Sequence, residues 1–236
     1  MTPAVPCLHP PALAAIFDMD GLLVDSEPFW RSVEVGVFSE LGVDITPLLG
    51  RGLTLGMRTD EVVAFFRSRL DCDGADDEEV TERIVDGIIT AIWEEAELMP
   101  GALGAIDHFS GLGLKVALAS SSTRPVIDAV IRRFDLGDRF QAVCSAADDE
   151  LGKPHPAVFL RTAQLLGVEP SGCVVLEDSL NGCIAAKAAR MRCIAVPAPR
   201  HFDDPRFAIA DLKLSSLEEI GEDAVTELLG LEPAVR

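Results

Sequence analysis

Two aspartates stand two residues apart in Asp18-Met19-Asp20-Gly21, directly after the apolar run Leu13-Ala14-Ala15-Ile16-Phe17. At the end of an extended segment that spacing lets both carboxylates reach the same side of a loop. One can attack an electrophile while the other moves protons. A carboxylate nucleophile suits phosphoryl transfer when a divalent cation offsets the repulsion between two anions. Read alone, the same aspartates also serve as ordinary turn formers.

Three further segments could complete such a site. Ser120 and Ser121, in Ala119-Ser120-Ser121-Ser122-Thr123, follow a second apolar run and precede a helical pattern. A hydroxyl and free backbone N–H groups there can hold phosphate oxygens, and helix capping is the plainer alternative. Lys153 lies in the proline-bounded loop Gly152-Lys153-Pro154-His155-Pro156 and is one of only four lysines, a candidate clamp for anionic charge. His155 beside it reads as structural. Glu177 and Asp178 follow the run Cys173-Val174-Val175-Leu176 and offer hard oxygen ligands for magnesium, although Asp178 could instead cap the next helix.

Each of these segments sits at an end of an apolar run, which points to the elements that must position them. Runs at 13–17, 115–119, 141–144, 173–176 and 193–196 read as five buried parallel strands. Helical spacing over 125–134, 156–166 and 179–189 alternates with them, as in βαβ units. The expected fold class is α/β, a doubly wound, Rossmann-like parallel sheet whose ligand lies at the carboxyl ends of the strands. Residues 27–98 are too many for one crossover and are mostly helical in pattern, so they read as an inserted α-helical domain. The expected organisation is a proline-rich tail over 1–12, a core formed by 13–24 with 99–230, and a helical cap over 25–98. Gly21 to Pro28 and Met99-Pro100-Gly101 would be the hinges. The acidic run 71–79 reads as a solvated loop and helix start rather than a calcium loop, and Ser215 with Glu218 as a capping box.

A formal charge of −19 argues against binding nucleic acid or an anionic membrane surface. It says little about a small anionic substrate, because a bound cation can reverse the field inside a cleft. The six cysteines are scattered and read as buried thiols, which suits a reducing cytoplasm. Neither a membrane span nor an export signal is expected.

The four motifs, Asp18-Met19-Asp20-Gly21, Ser120, Lys153 with its Pro-His-Pro, and Glu177-Asp178, together resemble those of the haloacid dehalogenase superfamily. The likeness is to its β-phosphoglucomutase-like phosphatases and mutases with a helical cap. Phe17 to Pro28, Leu176 to Gly182, Val196 to Pro199 and Asp204 to Phe207 look most like sugar-phosphate phosphatases acting on hexitol phosphates and 2-deoxyglucose 6-phosphate. The resemblance implies a monomeric phosphatase of small sugar or polyol phosphates. Asp18 would be the nucleophile and Asp20 the acid and base, with Ser120, Ser121 and Lys153 on the phosphate. Magnesium would bind Asp18, the backbone carbonyl of Asp20 and Asp178, with Glu177 acting through water. Arg58, Trp30 and Asn181 would face the substrate, Trp30 as an apolar wall or else as a core aromatic of the cap. Asp20 argues against dehalogenation, which needs no leaving-group proton. The alternatives are a phosphomutase, disfavoured because Trp30 stands where mutases carry a histidine, and a phospho-accepting signalling module.

Overall fold

A parallel strand inside a sheet must be apolar on both faces, and the first strand, β1 (Ala14–Phe17), is fully buried along its length. The computed structural model describes residues 12–49, 53–70, 74–221 and 223–230. In it β1 belongs to a six-stranded parallel sheet with β2 (Lys115–Ser120), β3 (Ala142–Ser145), β4 (Cys173–Glu177), β5 (Arg192–Ala195) and β6 (Leu212–Lys213). The spatial order is β3-β2-β1-β4-β5-β6. Five of these strands are those expected from the apolar runs. β6 is an addition, because two residues, one of them exposed, are too few to show a period.

Helices α1 (Glu27–Glu40), α2 (Thr46–Leu49), α3 (Thr59–Arg67) and α4 (Asp77–Glu95) lie between β1 and β2, and α5 (Ala102–Gly111) leads into β2. Helices α6 (Arg124–Arg133), α7 (Ala157–Leu166) and α8 (Leu180–Ala188) follow β2, β3 and β4, and α9 (Asp223–Leu229) comes last among the described residues. Alternate strand residues enter two cores. Ala15, Phe17, Val116 and Leu118 pack with α5 and α6, whereas Ala14, Ile16, Ala117 and Ala119 pack with α7 and α8. Helices therefore cover both faces, and the winding reverses between β1 and β4, where such sheets bind their ligands.

The inserted helices hold together through a single stripe. Val80, Ile84, Ile88 and Ile92 recur every four residues along α4 and are fully buried, and Phe38 meets Phe66 edge to face at 5.3 Å. The two chain crossings into this insertion are zipped side by side, Met99 N–H donating to Leu23 O at 2.9 Å and Asp25 N–H to Glu97 O at 3.0 Å. Asp76 caps α4 by accepting the Glu79 N–H at 2.9 Å, which makes this part of the acidic run a helix start. Asp71 and Asp73 lie outside the described residues, as do Cys7, Cys72 and residues 1–11 of the expected tail. The expected capping box is displaced by one residue: Glu219, not Glu218, accepts the Ser216 N–H at 3.1 Å, and it starts a single 3-10 turn rather than an α-helix. Cys144, Cys173, Cys183 and Cys193 are buried free thiols. Among the described residues, no helix is long and apolar enough to cross a membrane.

Candidate active site at the strand ends

Register brings the distant motifs together. Phe17 lies beside Leu118 on β2 and Leu176 on β4, so Asp18, Ser120 and the Glu177-Asp178 pair all emerge at the same end of the sheet. Lys153 is placed beneath them, 2% exposed, by the loop before α7. Its Nζ donates to Asp18 Oδ1 at 2.7 Å, Glu177 Oε1 at 2.5 Å and the Ala119 carbonyl at 3.1 Å, which uses all three ammonium donors. Burial opposes the charge on Lys153, but Asp18 and Glu177 outweigh it and hold the ammonium more firmly protonated than an ordinary lysine.

The acidic members do not play equal parts. Asp18, Glu177 and Asp178 can bring one oxygen each within 4.8 Å of one another. Glu177, however, is already engaged: Oε1 accepts from Lys153, and Oε2 accepts from Ser179 N–H at 3.2 Å and Ser179 Oγ at 2.9 Å. Glu177 therefore anchors Lys153 and the start of α8, and it remains one of the three acids that stand close enough to share a cation. Asp18 and Asp178 retain unclaimed oxygens, and these two carboxyls fit a hard cation. Burial first, then Glu177, drives the Asp18 pKa to about 8 against the pull of Lys153. The same two causes, followed by Asp18, raise Asp178 well above the ordinary carboxylate range. One lysine leaves this acidic cluster short of positive charge, which is the electrostatic setting a divalent cation relieves.

Close packing around Glu177 yields the first testable outcome. A methyl group on Gly182 would lie 1.8 Å from Glu177 Oε1. Gly182→Ala is expected to displace that carboxylate and cost about 1–3 kcal/mol, the usual range for overpacking. Thermal unfolding checks the cost, and an unchanged melting temperature would show that Glu177 can move without penalty.

Asp20 is held by four donors. Its Oδ1 accepts from Ser26 Oγ at 2.7 Å and Trp30 Nε1 at 2.9 Å, and its Oδ2 from Ser122 Oγ at 2.7 Å and Ser120 Oγ at 3.3 Å. Trp30 thus does more than wall the cavity: its indole orients a carboxylate. Asp18, Asp20, Trp30, Ser120 and Ser121 all line a cavity of about 350 Å³ between the strand ends and the helical insertion.

Three residues expected to meet the phosphate or the substrate, Ser121, Asn181 and Arg58, make bonds between the insertion and the sheet side. Ser121 Oγ donates to the Gly56 carbonyl at 2.7 Å while also lining the cavity, and Asn181 Nδ2 donates to the Leu55 carbonyl at 2.9 Å. Arg58, expected to face the substrate, lies outside the residues that line the cavity in this arrangement. Its Nη1 reaches the Asp149 carbonyl at 2.6 Å, and its Nε and Nη2 are taken by Asp60 at 3.0 and 2.6 Å. The guanidinium is therefore spent on joining the insertion to the loop after β3. His155 accepts the Ala157 N–H at 3.3 Å near the start of α7, in keeping with a structural role.

Ser26, Ser122, Glu27 and Glu34 are site residues that the sequence reading missed. Glu27, Trp30, Arg31 and Glu34 follow an i, i+3, i+4, i+7 pattern on α1, a signal for one shared helix face. Burial, then Asp20, raises Glu27 to about 7, opposed by Arg200 at 3.6 Å.

A six-stranded doubly wound sheet with an acidic pair, a buried lysine and a helical lid at its carboxyl end defines a class of hydrolase, and this chain belongs to it. Residues 13–190 match the haloacid dehalogenase-like hydrolase family. The chain is 48% identical to hexitol phosphatase B of Escherichia coli K12 over 92% of its own length and 97% of that protein's. It is 32% identical to protein CbbY of Rhodobacter capsulatus, covering 91% of this chain and 98% of that one. The crystal structure of CbbY from Rhodobacter sphaeroides in complex with phosphate superposes with a TM-score of 0.81 at 29% identity, over 92% of this chain and 99% of that one.

Proposed function

We propose that the chain is a cytoplasmic, magnesium-dependent phosphatase of small sugar or hexitol phosphates that works through an aspartyl phosphate. The observation that carries this reading is the division of labour between the two aspartates. Asp18 is tied to Lys153 through one oxygen only, which leaves Oδ2 to attack. Asp20 is braced by hydroxyl and indole donors and, among the described residues, pairs with no cation. The 48% identity to hexitol phosphatase B supplies the substrate class.

In the first half-reaction an Asp18 oxygen bonds to phosphorus as the bond from phosphorus to the sugar oxygen breaks, and Asp20 gives its proton to that oxygen. In the second, water attacks the aspartyl phosphate, Asp20 takes a proton, and inorganic phosphate leaves with the Asp18 carboxylate restored. The donor set favours one Asp20 oxygen as the one that carries the proton. Ser26 and Trp30 donate to Oδ1, and an indole can only donate, so Oδ1 stays an acceptor. Ser120 and Ser122 face Oδ2, and hydroxyls can turn from donating to accepting, so the shuttled proton sits on Oδ2. Asp18, Asp178 and the Asp20 carbonyl would hold magnesium, with Glu177 acting through water, and the ion would supply the positive charge that lets one anion approach another. Residues 25–98 act as the cap that closes the site.

The test is phosphate release from hexitol, hexose and pentose phosphates with magnesium, repeated after EDTA treatment. Release that depends on the metal and is highest with a hexitol or hexose phosphate is the expected result. Isomerised sugar phosphate without release would establish a mutase instead, and a lasting acid-labile phosphoryl group would establish a signalling module.

A further inference from the structure

Glu34 sits one helical turn beyond Trp30 on α1, lines the cavity and is only 7% exposed. Among the described residues its carboxyl accepts no hydrogen bond and pairs with no cation. Its oxygens are open to the cavity rather than sealed in the core, so they are free to meet a ligand group there. Its charged neighbour is another carboxyl, Glu27, and burial followed by Glu27 moves Glu34 to about 8, so near neutral pH it keeps its proton. A neutral carboxyl both donates and accepts, as a hydroxyl does.

We propose that Glu34 forms a subsite that binds a hydroxyl group on the sugar or polyol chain of the substrate, at the end of the cavity away from the phosphate. This rests on the phosphatase reading and deepens it. Trp30 fixes Asp20 beside the reacting phosphorus, and four residues of helix place Glu34 about 6 Å further along the α1 axis. A phosphate seated at Asp18 thus leaves a hydroxyl-bearing chain to run towards Glu34.

The experiment compares a hexitol 6-phosphate with p-nitrophenyl phosphate, which has no hydroxyl chain, using the unaltered enzyme, Glu34→Leu and Glu34→Gln. Glu34→Leu is expected to lower the ratio of kcat/KM for the hexitol phosphate to that for p-nitrophenyl phosphate by about 10–100-fold, mainly through KM. Glu34→Gln, which also donates and accepts, should restore most of the ratio. The melting temperature of Glu34→Leu should equal or exceed that of the unaltered protein, since an unpartnered carboxyl is removed from a buried place. An unchanged ratio, or a lower ratio that Gln fails to restore, would overturn the subsite. So would a loss confined to an amino-sugar phosphate, which would show that Glu34 binds an ammonium group. Absence of release from both substrates by the unaltered enzyme would overturn the phosphatase reading itself, and is distinct from these results.

Discussion

Asp18→Asn should release no phosphate above background and yet melt at or above the temperature of the unaltered protein. The first half follows from the chemistry. An amide nitrogen and carbonyl cannot replace the carboxylate that bonds to phosphorus, and loss of a nucleophile costs about 10⁴-fold or more. The second half follows from electrostatics. Burial, then Glu177, lifts the Asp18 pKa from 3.8 to about 8, with Lys153 pulling the other way. The folded chain therefore binds this proton more tightly than the unfolded chain. The stability it contributes is fully present below pH 3.8 and is lost as pH rises through about 8. Asparagine has no such titration, and Lys153 keeps Glu177 as a partner. In EDTA the advantage of the variant should grow between about pH 5 and about pH 9. Thermal unfolding at both values checks this, and a variant that melts well below the parent throughout would show that the Lys153 bond to Asp18 is worth more than the burial it relieves.

Lys153→Met should act in the opposite sense on stability and in the same sense on turnover. The ammonium group is buried and, among the described residues, is the one cation bonded to both Asp18 and Glu177. Removing one partner from a buried ion pair leaves charge uncompensated and costs about 3–5 kcal/mol. At about 2–4 °C per kcal/mol in a chain of this size, the melting temperature should fall by roughly 6–20 °C. Asp18, without its counter-charge, should take up a proton and cease to attack, so phosphate release should vanish as well. Because protonation of Asp18 relieves the repulsion, the destabilisation should be smaller at about pH 5 than at about pH 8. A loss of the same size at both values would place the effect in packing against Phe159, whose ring lies 4.8 Å from the ammonium group, rather than in charge.

These two residues were legible from sequence for a plain reason: each stands where an apolar strand or a rigid loop gives way to charge, and the order of strands then leaves few places for it. Glu177 was harder. It and Asp178 are adjacent acids after the same apolar run, and only the position of Gly182 and Ser179 shows that Glu177 is turned beneath α8. Arg58 was harder to place because a long cation in the insertion can reach either the cavity or the sheet side, and the Asp149 carbonyl it meets is 91 residues away in the chain. Ser26 and Trp30 meet Asp20 only after α1 has folded back over the strand ends, a contact that strand and helix periods do not encode. Glu34 was hidden because a carboxylate on an amphipathic helix ordinarily marks the solvent side.

The hydrogen bonds that seat the loop at 54–57 carry a consequence for how such an enzyme can diversify. Ser121 and Asn181, on the sheet side, grip the carbonyls of Gly56 and Leu55, not their side chains. Gly56 itself is constrained, with φ of +74° and Ser179 Oγ 2.4 Å from where a Cβ would stand. Leu55 and Met57 beside it are under no such constraint, although both line the cavity. The loop is thus held by its backbone while the neighbouring side chains face the cavity, so an inherited change at position 55 or 57 can reshape the cavity wall while the bonds that seat the loop persist.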